Sequence, residues 1–233
     1  MGCIAAAVSL MNHSNPTHAI EDYAAQMLQY QPRTDHDDPF RRLLWLDFET
    51  TGLYDFGDQV HLLEVAAVVT DKDLNIISEP LSMVLGAEPH VLESLNSYVR
   101  KMHTANGLLD EVATSQRTLE EADAALAELI SAYFPPKDQA PETTYEYKGA
   151  VVAGSSVGSF DLRVLTENFP DSRKLCSHRT YDISAVNEFT ARLNLPPVNT
   201  AASSASSTHR AVDDVMASIG RAAALREQFL EVL

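Results

Sequence analysis

An apolar segment that ends in two closely spaced carboxylates, LLWLDFETTGL at residues 43–53, constrains the fold of this chain most. The segment has the composition of a buried β-strand, in which successive side chains point to opposite faces of the sheet. Asp47 and Glu49 are two positions apart and therefore point to the same face, where their negative charges repel each other. Either a proton shared by the two carboxyls or a bound divalent cation can offset this repulsion.

The composition restricts the class of protein. With 233 residues, 45% of them hydrophobic, the chain is long enough for one well-buried α/β domain. No apolar segment reaches the roughly 18 residues of a membrane-spanning helix, so no membrane partner is expected. Cys3 and Cys176 indicate no disulfide framework. We therefore expect a reducing compartment and a cytoplasmic location.

The formal net charge of −16 bears on nucleic-acid binding. Proteins bind long duplexes largely through Lys and Arg side chains that neutralise successive phosphates, so a long duplex is not an expected partner. A short substrate with one or two phosphates needs only a local cationic pocket and a metal ion. The acidity therefore selects among nucleic-acid partners and does not exclude all of them.

The first 40 residues differ in pattern from the rest of the chain. Residues 1–40 are predicted to be a poorly ordered leader, and residues 41–233 the folded domain. No basic residue precedes the apolar stretch of the leader and its Arg content is low, which argues against a secretory signal or a transit peptide. Polar residues 135–149 and the Ser- and Ala-rich residues 200–207 are predicted loops.

Apolar periodicity and turn residues predict a mixed sheet flanked by helices. β-branched segments at 61–71 and 75–86 follow the first strand, and these three segments predict antiparallel strands. Strands and helices alternate in the second half, which is typical of an α/β sheet. Further strands are predicted at 150–154 and 178–184. Helices are predicted at 95–113 with a break near Gly107, at 118–134, at 160–169 closed by Pro170, at 185–195, and from about Ala211 onward.

Two of these helices have sequence patterns that define their ends or faces. Thr118 and Glu121 have the spacing of a capping box at the start of the helix at 118–134. The last helix carries an apolar stripe, which predicts the face that packs on the sheet. The residues of this stripe are Val212, Val215, Met216, Ile219 and Ala223.

Two further acidic positions are predicted near the end of the first strand. Asp161 follows the strand at 150–154 and a loop of small residues, a place where open α/β sheets bind ligands. Asp214 follows His209 by five residues at the start of the last helix, and the adjacent Asp213 is its competitor. Four acids from separate segments can therefore converge: Asp47, Glu49, Asp161 and Asp214.

Such a set of acids suits metal-assisted phosphodiester hydrolysis. Two divalent ions about 4 Å apart can bind one scissile phosphate. Carboxylate oxygens are hard ligands that suit Mg²⁺ or Mn²⁺. A histidine beside the ions, with an unperturbed pKa of about 6.5, can accept the proton of the attacking water. His209 is the candidate for this general base.

From about residue 43 onward the chain resembles the DEDD exonuclease superfamily, in the subgroup with a histidine base, and most narrowly the oligoribonuclease family. The matching motifs are WLDFETTGL, LLEVAAVVTD, MHTANGL, GSSVGSFD and THRAVDD. The resemblance implies a ribonuclease H-like fold with a mixed five-stranded sheet flanked by helices. It also implies a homodimeric 3′-to-5′ exoribonuclease that cleaves very short oligoribonucleotides, with dinucleotides preferred, to nucleoside 5′-monophosphates by two-metal-ion hydrolysis.

The resemblance also assigns roles to individual residues. It implies two Mg²⁺ or Mn²⁺ ions held by Asp47, Glu49, Asp161 and Asp214, with His209 as the base. It implies substrate contacts by Leu53 as a wedge against a base, by Tyr98 as a stacking ring, by His103 and Ser156, and by Arg179 at the terminal phosphate in the partner subunit's site.

This chain departs from the family pattern at positions that bear on substrate recognition. Tyr98 stands where the family has tryptophan, Ser155 where it has asparagine, and His178 where it has tyrosine. ETTGL replaces the usual EMTGL, and the loop before Asp161 is one residue longer. These differences leave the acids in place and concern how strictly dinucleotides are preferred.

Two other functions stay open at the level of the sequence. One is an exonuclease of the same superfamily that acts on longer single strands of DNA or RNA, of the proofreading or tRNA-trimming type. The absence of a basic stripe argues against it. The other is a binding protein that kept the fold and lost catalysis, and the presence of all five reaction residues argues against that reading.

Overall fold

The computed structural model describes residues 38–53, 60–139, 147–193 and 208–232. Most of the predicted leader and the predicted loop at 200–207 lie outside these ranges. The strands are β1 Leu43–Thr50, β2 Leu62–Thr70, β3 Leu81–Val84, β4 Ala150–Gly154 and β5 Cys176–Asp182. The helices are α1 Pro89–Glu93, α2 Ser97–Ala105, α3 Leu108–Thr114, α4 Leu119–Tyr133, α5 Asp161–Asn168, α6 Pro170–Leu175, α7 Ile183–Arg192 and α8 Ala211–Val232.

The five strands form one mixed sheet in the order β3-β2-β1-β4-β5. β1 pairs antiparallel with β2, and β2 pairs antiparallel with β3. β4 runs parallel to β1, and β5 runs parallel to β4. The prediction of a mixed five-stranded α/β sheet flanked by helices is therefore confirmed.

The central strand β1 distributes its side chains over two separate cores. Leu44, Leu46 and Phe48 are buried in a cluster that includes residues of α4 and α5. Trp45, on the opposite face, is fully buried in a cluster with residues of α8. Because side chains alternate along a strand, Asp47 and Glu49 lie on the same face as Trp45, the face covered by α8.

The buried face of α8 is slightly different from the predicted stripe. Val215 and Ile219 are buried as predicted, and Val212 and Met216 pack partly against the same cluster. Ala223 is only half-buried, and Ala222 continues the buried stripe instead. Ala222 lies seven residues, or about two helical turns, after Val215, which places the two side chains on one line along the helix.

The prediction that a helix ends at Pro170 is correct for α5, but the chain then forms the short helix α6, which was not predicted. Pro170 occupies the first turn of α6. The carboxylate of Asp123, on α4, accepts hydrogen bonds from the backbone N–H groups of Asp171 at 3.0 Å and Ser172 at 2.9 Å. The cap of α6 therefore comes from a residue far away in sequence, which local patterns do not reveal.

The strand predicted at 75–86 is shorter than expected, because only Leu81–Val84 form β3. Ile76 makes an isolated bridge to Thr70. The backbone N–H of Val69 donates to the side-chain oxygen of Ser78 at 2.9 Å. A serine hydroxyl thus replaces a strand carbonyl, and regular pairing stops.

Two local predictions about helix ends are confirmed. Gly107 has a φ of 79°, a left-handed conformation that suits glycine, and it separates α2 from α3. Thr118 and Glu121 form both hydrogen bonds of the capping box at the start of α4. Within the described ranges, no helix combines the length and the apolar character needed to cross a bilayer.

Candidate active site

The carboxyl ends of the parallel strands β1, β4 and β5 define the edge of the sheet where the acids meet. β4 pairs with β1 only at residues 43–45 and ends at Gly154. A Cβ at Gly154 would lie 3.0 Å from the carbonyl oxygen of Leu46, a tight contact, so the close approach of the two strands favours glycine. The end of β1 extends past β4 and leaves space for another element.

Asp161, the first residue of α5, occupies that space. Its Oδ1 accepts a hydrogen bond from the backbone N–H of Phe48 at 3.2 Å. The Asp161 side chain therefore satisfies a strand amide that β4 does not reach, and this contact holds its carboxylate beside β1. Asp161 is almost fully buried.

The start of α8 brings two more candidate residues to β1. Single ligand atoms of Glu49, His209 and Asp214 all lie within 4.8 Å of one another. Asp213, the competitor of Asp214, instead accepts a hydrogen bond from the hydroxyl of Thr208 at 2.7 Å. The structure therefore brings Asp214 into the cluster and gives Asp213 a different contact.

The electrostatics of the acids link the members of the cluster. Burial, followed by the charges of Asp161 and Asp214, raises the pKa of Asp47 well above its usual value. Burial and the charge of Asp214 raise the pKa of Glu49 to about 8.

The same effect acts on Asp161. Burial raises its pKa to about 8, although hydrogen bonds from the backbone N–H groups of Asp161 and Phe48 oppose the increase. Without a cation, the carboxyls of Glu49 and Asp161 therefore favour their protonated forms near neutral pH.

This cluster, which we call the acidic cluster (Asp47, Glu49, Asp161, Asp214), has the donor set of a divalent-cation site. Its ligands are carboxylate oxygens, which Mg²⁺ and Mn²⁺ prefer. A cation bound between them would favour the ionised carboxylates and so remove the cause of the raised pKa values. The residues present therefore fit a divalent metal.

The residues predicted to contact substrate lie on several elements. Leu53 follows β1 and is 48% exposed, and Tyr98 on α2 is 71% exposed. Ser156 lies in the loop between β4 and α5 and has a φ of 58°. Its backbone N–H donates to Asp182, the last residue of β5, and to Ser184 in the first turn of α7. Arg179 is half-buried on β5.

His103 on α2 is the predicted substrate-contact residue that lies deepest. Its side chain is fully buried, and its Nε2 is 3.6 Å from Oε2 of Glu49. Neither ring nitrogen has a hydrogen-bond partner among the described residues. Burial lowers the pKa of His103, so the neutral imidazole is favoured.

Sequence reasoning missed Asn106 and Glu64, which contact the segment that carries His209, and Arg210, which lies in that segment. Glu64 is fully buried on β2, directly opposite Glu49 in the β1–β2 pairing, and it forms an ion pair with Arg210. The signal in the sequence was a single charge inside the apolar strand LLEVAAVV, since a fully buried carboxylate requires a partner.

Comparison with known proteins agrees with this geometry. A family model described as Exonuclease matches residues 44–132. The oligoribonuclease of Corynebacterium diphtheriae is 35% identical over 178 residues, which are 76% of this chain and 78% of that protein. The oligoribonuclease of Tropheryma whipplei is 34% identical over 188 residues, which are 81% of this chain and 93% of that protein.

A solved structure of Escherichia coli exonuclease I in complex with a dT13 oligonucleotide aligns with a TM-score of 0.54 at 17% identity. The alignment covers 82% of this chain and 42% of that longer chain. This likeness confirms the predicted ribonuclease H-like exonuclease fold. The identity to the curated relatives and its extent over both proteins show that the chain belongs to the oligoribonuclease family of exonucleases.

Proposed function

We propose that this protein is a metal-dependent 3′-to-5′ exoribonuclease that hydrolyses very short oligoribonucleotides, dinucleotides preferred, to nucleoside 5′-monophosphates. The observation that carries the proposal is the convergence of Glu49, Asp214 and His209 at the end of β1 in a member of this family. Besides burial, the charges of Asp161, Asp214 and Glu49 help to raise the pKa of Asp47, and the charge of Asp161 also raises the pKa of Glu49, which supports the membership of Asp47 and Asp161 in this cluster.

The acidic cluster would hold two Mg²⁺ or Mn²⁺ ions. When bound, such ions lower the pKa of a water molecule and stabilise the leaving oxyanion. An imidazole nitrogen of His209 accepts a proton from the attacking water. The water oxygen forms a bond to phosphorus while the bond from phosphorus to the 3′ oxygen of the preceding nucleotide breaks. The 3′-terminal nucleotide leaves as a 5′-monophosphate, and the 3′ oxygen takes up a proton.

Two exposed side chains, one aromatic and one apolar, suit the bases of a short strand. The Tyr98 ring offers a stacking surface, and base stacking on an aromatic ring contributes about 1–3 kcal/mol. Leu53 lies at the end of β1, where it can separate two bases. Buried His103 and the Ser156 loop complete the substrate contacts that we propose.

The charge of the protein supports a short substrate. A net charge of −16 opposes the approach of a long polyanion, whereas a dinucleotide offers few phosphates for the protein to neutralise. A local cation such as Arg179 is then sufficient to bind a terminal phosphate.

The proposed function is tested with 5′-labelled RNAs two to seven nucleotides long, with and without Mn²⁺. We expect the diribonucleotide to be cleaved fastest. His209→Ala is expected to slow cleavage by roughly 10²–10⁴-fold, the usual contribution of a general base. His90→Ala, at an exposed position on α1, is the matched control.

Two results would contradict the proposal in different ways. Equal or rising rates on longer RNAs would make the protein an exonuclease of longer single strands. A failure of the unsubstituted protein to cleave any of these RNAs would make it a binding protein that has lost catalysis.

We also propose a homodimer in which Arg179 reaches the active site of the partner subunit. Exposed apolar side chains support a contact with a second copy: Phe189 on α7 is 56% exposed and Leu193, four residues later, is 51% exposed. Exposed large apolar side chains this close in sequence, at the end of a helix, are a feature of contact surfaces.

Mixing two impaired variants tests the role of Arg179 in the partner's site. Arg179→Ala and His209→Ala are each expected to be strongly impaired at low substrate concentration. A mixed dimer has one intact site, formed by His209 of one subunit and Arg179 of the other. Random mixing should therefore restore about a quarter of the unsubstituted activity, since half the dimers carry one good site of two. Restoration of no activity in a verified mixed dimer would place Arg179 in its own subunit's site.

A further inference from the structure

The segment that carries His209 is held from two sides by side chains outside the acidic cluster. On one side, Asn106 follows α2, and its Nδ2 donates to the carbonyl oxygens of Thr208 at 3.0 Å and His209 at 2.6 Å. Its Oδ1 accepts from the backbone N–H of Leu108 at 3.1 Å. The Asn106 side chain is thereby oriented by the start of α3 and ties α2 to the residues before α8.

On the other side, an ion-pair network holds the residues that follow His209. Arg210 donates to the Glu64 carboxylate through Nε at 3.1 Å and Nη2 at 2.9 Å, and to Glu111 through Nη1 at 2.7 Å. The backbone N–H of Ala211 donates to the same Glu64 carboxylate at 3.0 Å. Glu64 therefore binds both the side chain and the backbone of the segment immediately after His209.

The backbone of His209 itself explains why two holding contacts are needed. Its φ is 52°, in the left-handed region that residues other than glycine rarely adopt. A residue in this conformation persists only where its surroundings determine it. Here the carbonyl oxygen of His209 is bound by Asn106, and the next two residues are bound by Glu64.

The fixed backbone directs the imidazole toward the acids. A ring nitrogen of His209 lies within 4.8 Å of carboxylate oxygens of Glu49 and Asp214. Glu64 lies opposite Glu49 on the neighbouring strand. The residue that binds Arg210 and Ala211 is therefore in the same part of the sheet as the acidic cluster. The positions of the base and of the acids are therefore set relative to one common strand pair.

We propose that Asn106, Arg210 and Glu64 are positioning residues that act on the reaction through His209. The inference rests on the proposed role of His209 as general base. Displacing a catalytic group by about 1 Å lowers a rate by as much as 10²-fold. Loss of the Asn106 contacts should therefore lower kcat and leave the metal-binding acids unaffected.

Asn106→Ala is the main test, because Asn106 is only partly buried and the variant is expected to fold. We expect kcat on a diribonucleotide to fall roughly 10- to 100-fold and KM to change less than about threefold. Mn²⁺ affinity, measured by titration of the protein without substrate, should stay within about twofold. Asn75→Ala is the matched control, since its Nδ2 bonds Asp71 in the β2–β3 connection, away from the site.

A double-mutant cycle separates positioning from a general structural effect. In a His209→Ala background, Asn106→Ala should cause no further loss, because the group that it positions is already absent. Arg210→Lys keeps the charge but not the bidentate contact to Glu64, and it should lose less activity than Arg210→Ala. The same cycle with Arg210→Lys should also show no further loss.

Three outcomes would overturn the inference. They are losses that multiply in the double variant, an unchanged kcat in Asn106→Ala, and a decrease in Mn²⁺ affinity as large as the decrease in kcat. These outcomes are distinct from failure of the proposed function. The proposed function fails if the unsubstituted protein does not cleave the diribonucleotide or if His209→Ala is fully active. Either result would also overturn the inference, because it rests on His209 as the general base.

Discussion

Asp214→Asn is expected to lower the rate of diribonucleotide cleavage by roughly a thousandfold or more, whereas Asp213→Asn should change it only a few-fold. Both substitutions remove one negative charge from the first turn of α8, so the pair is matched in charge and in helix position. Only Asp214 has a carboxylate oxygen within 4.8 Å of Glu49 and His209. Metal-assisted activation contributes several kcal/mol, and each 1.36 kcal/mol is a factor of ten in rate.

Steady-state kinetics with saturating Mn²⁺ measure this difference, and Mn²⁺ titration checks that the loss follows metal binding. In this structure Asp214, and not Asp213, is grouped with Glu49 and His209, and the Asp213 carboxylate accepts a hydrogen bond from Thr208. Equal losses in the two variants would contradict the assignment of Asp214. A larger loss in Asp213→Asn would make Asp213 the ligand.

The thermal stability of the metal-free protein is expected to fall as the pH rises from about 4 to about 8. The pKa values of Glu49 and Asp161 are raised to about 8 in the folded state, mainly by burial. Between its usual pKa near 4 and this raised value, each group binds a proton in the folded state but not in the unfolded state. The contribution of these two groups to the free energy of unfolding is therefore fully present at low pH, and it is lost as the pH increases through their folded-state pKa values.

Saturating Mg²⁺ should reverse this dependence, because the metal favours the ionised carboxylates. A ligand at about 100 times its Kd stabilises the folded state by about 2.7 kcal/mol, and each kcal/mol shifts the Tm of a chain of this size by about 2–4 °C. Differential scanning calorimetry at pH 5 and pH 8, with EDTA or with Mg²⁺, measures both effects.

Substitutions identify the groups responsible for this pH dependence. Glu49→Gln should flatten the decrease in Tm of the metal-free protein and remove much of the stabilisation by Mg²⁺. Asp110→Asn removes a charge from an exposed position on α3. This control should change neither the pH dependence of the Tm in EDTA nor the stabilisation by Mg²⁺. A Tm that rises between pH 5 and pH 8 in EDTA would show that the buried carboxyls are not the dominant titrating groups.

Local periodicity predicted much of the architecture. The alternation along LLWLDFET indicated that Asp47 and Glu49 share one face, and β1 places both on the face of Trp45 and α8. The capping box of α4 and the glycine break between α2 and α3 follow from residues within a few positions of each other. Such features depend on neighbouring residues, so they are visible in the sequence.

The errors occurred where distant residues decide the local structure. α6 begins because Asp123, 49 residues before Ser172, accepts its backbone N–H. Before β3, the hydroxyl of Ser78 accepts the backbone N–H of Val69, a side-chain contact that strand periodicity does not predict. No pattern within a short window contains either contact.

The sequence alone was sufficient for the strand and helix types, the shared face of the first two acids and the candidate base, because these follow from local periodicity and motif spacing. Tertiary structure decided which acid of the Asp213–Asp214 pair enters the cluster and how Asp161 reaches β1, 113 residues away. It also decided that Glu64 and Arg210, 146 residues apart, hold the backbone beside His209. These contacts join segments that meet only when the sheet and α8 pack, since burial of the apolar faces brings the charged groups between them together.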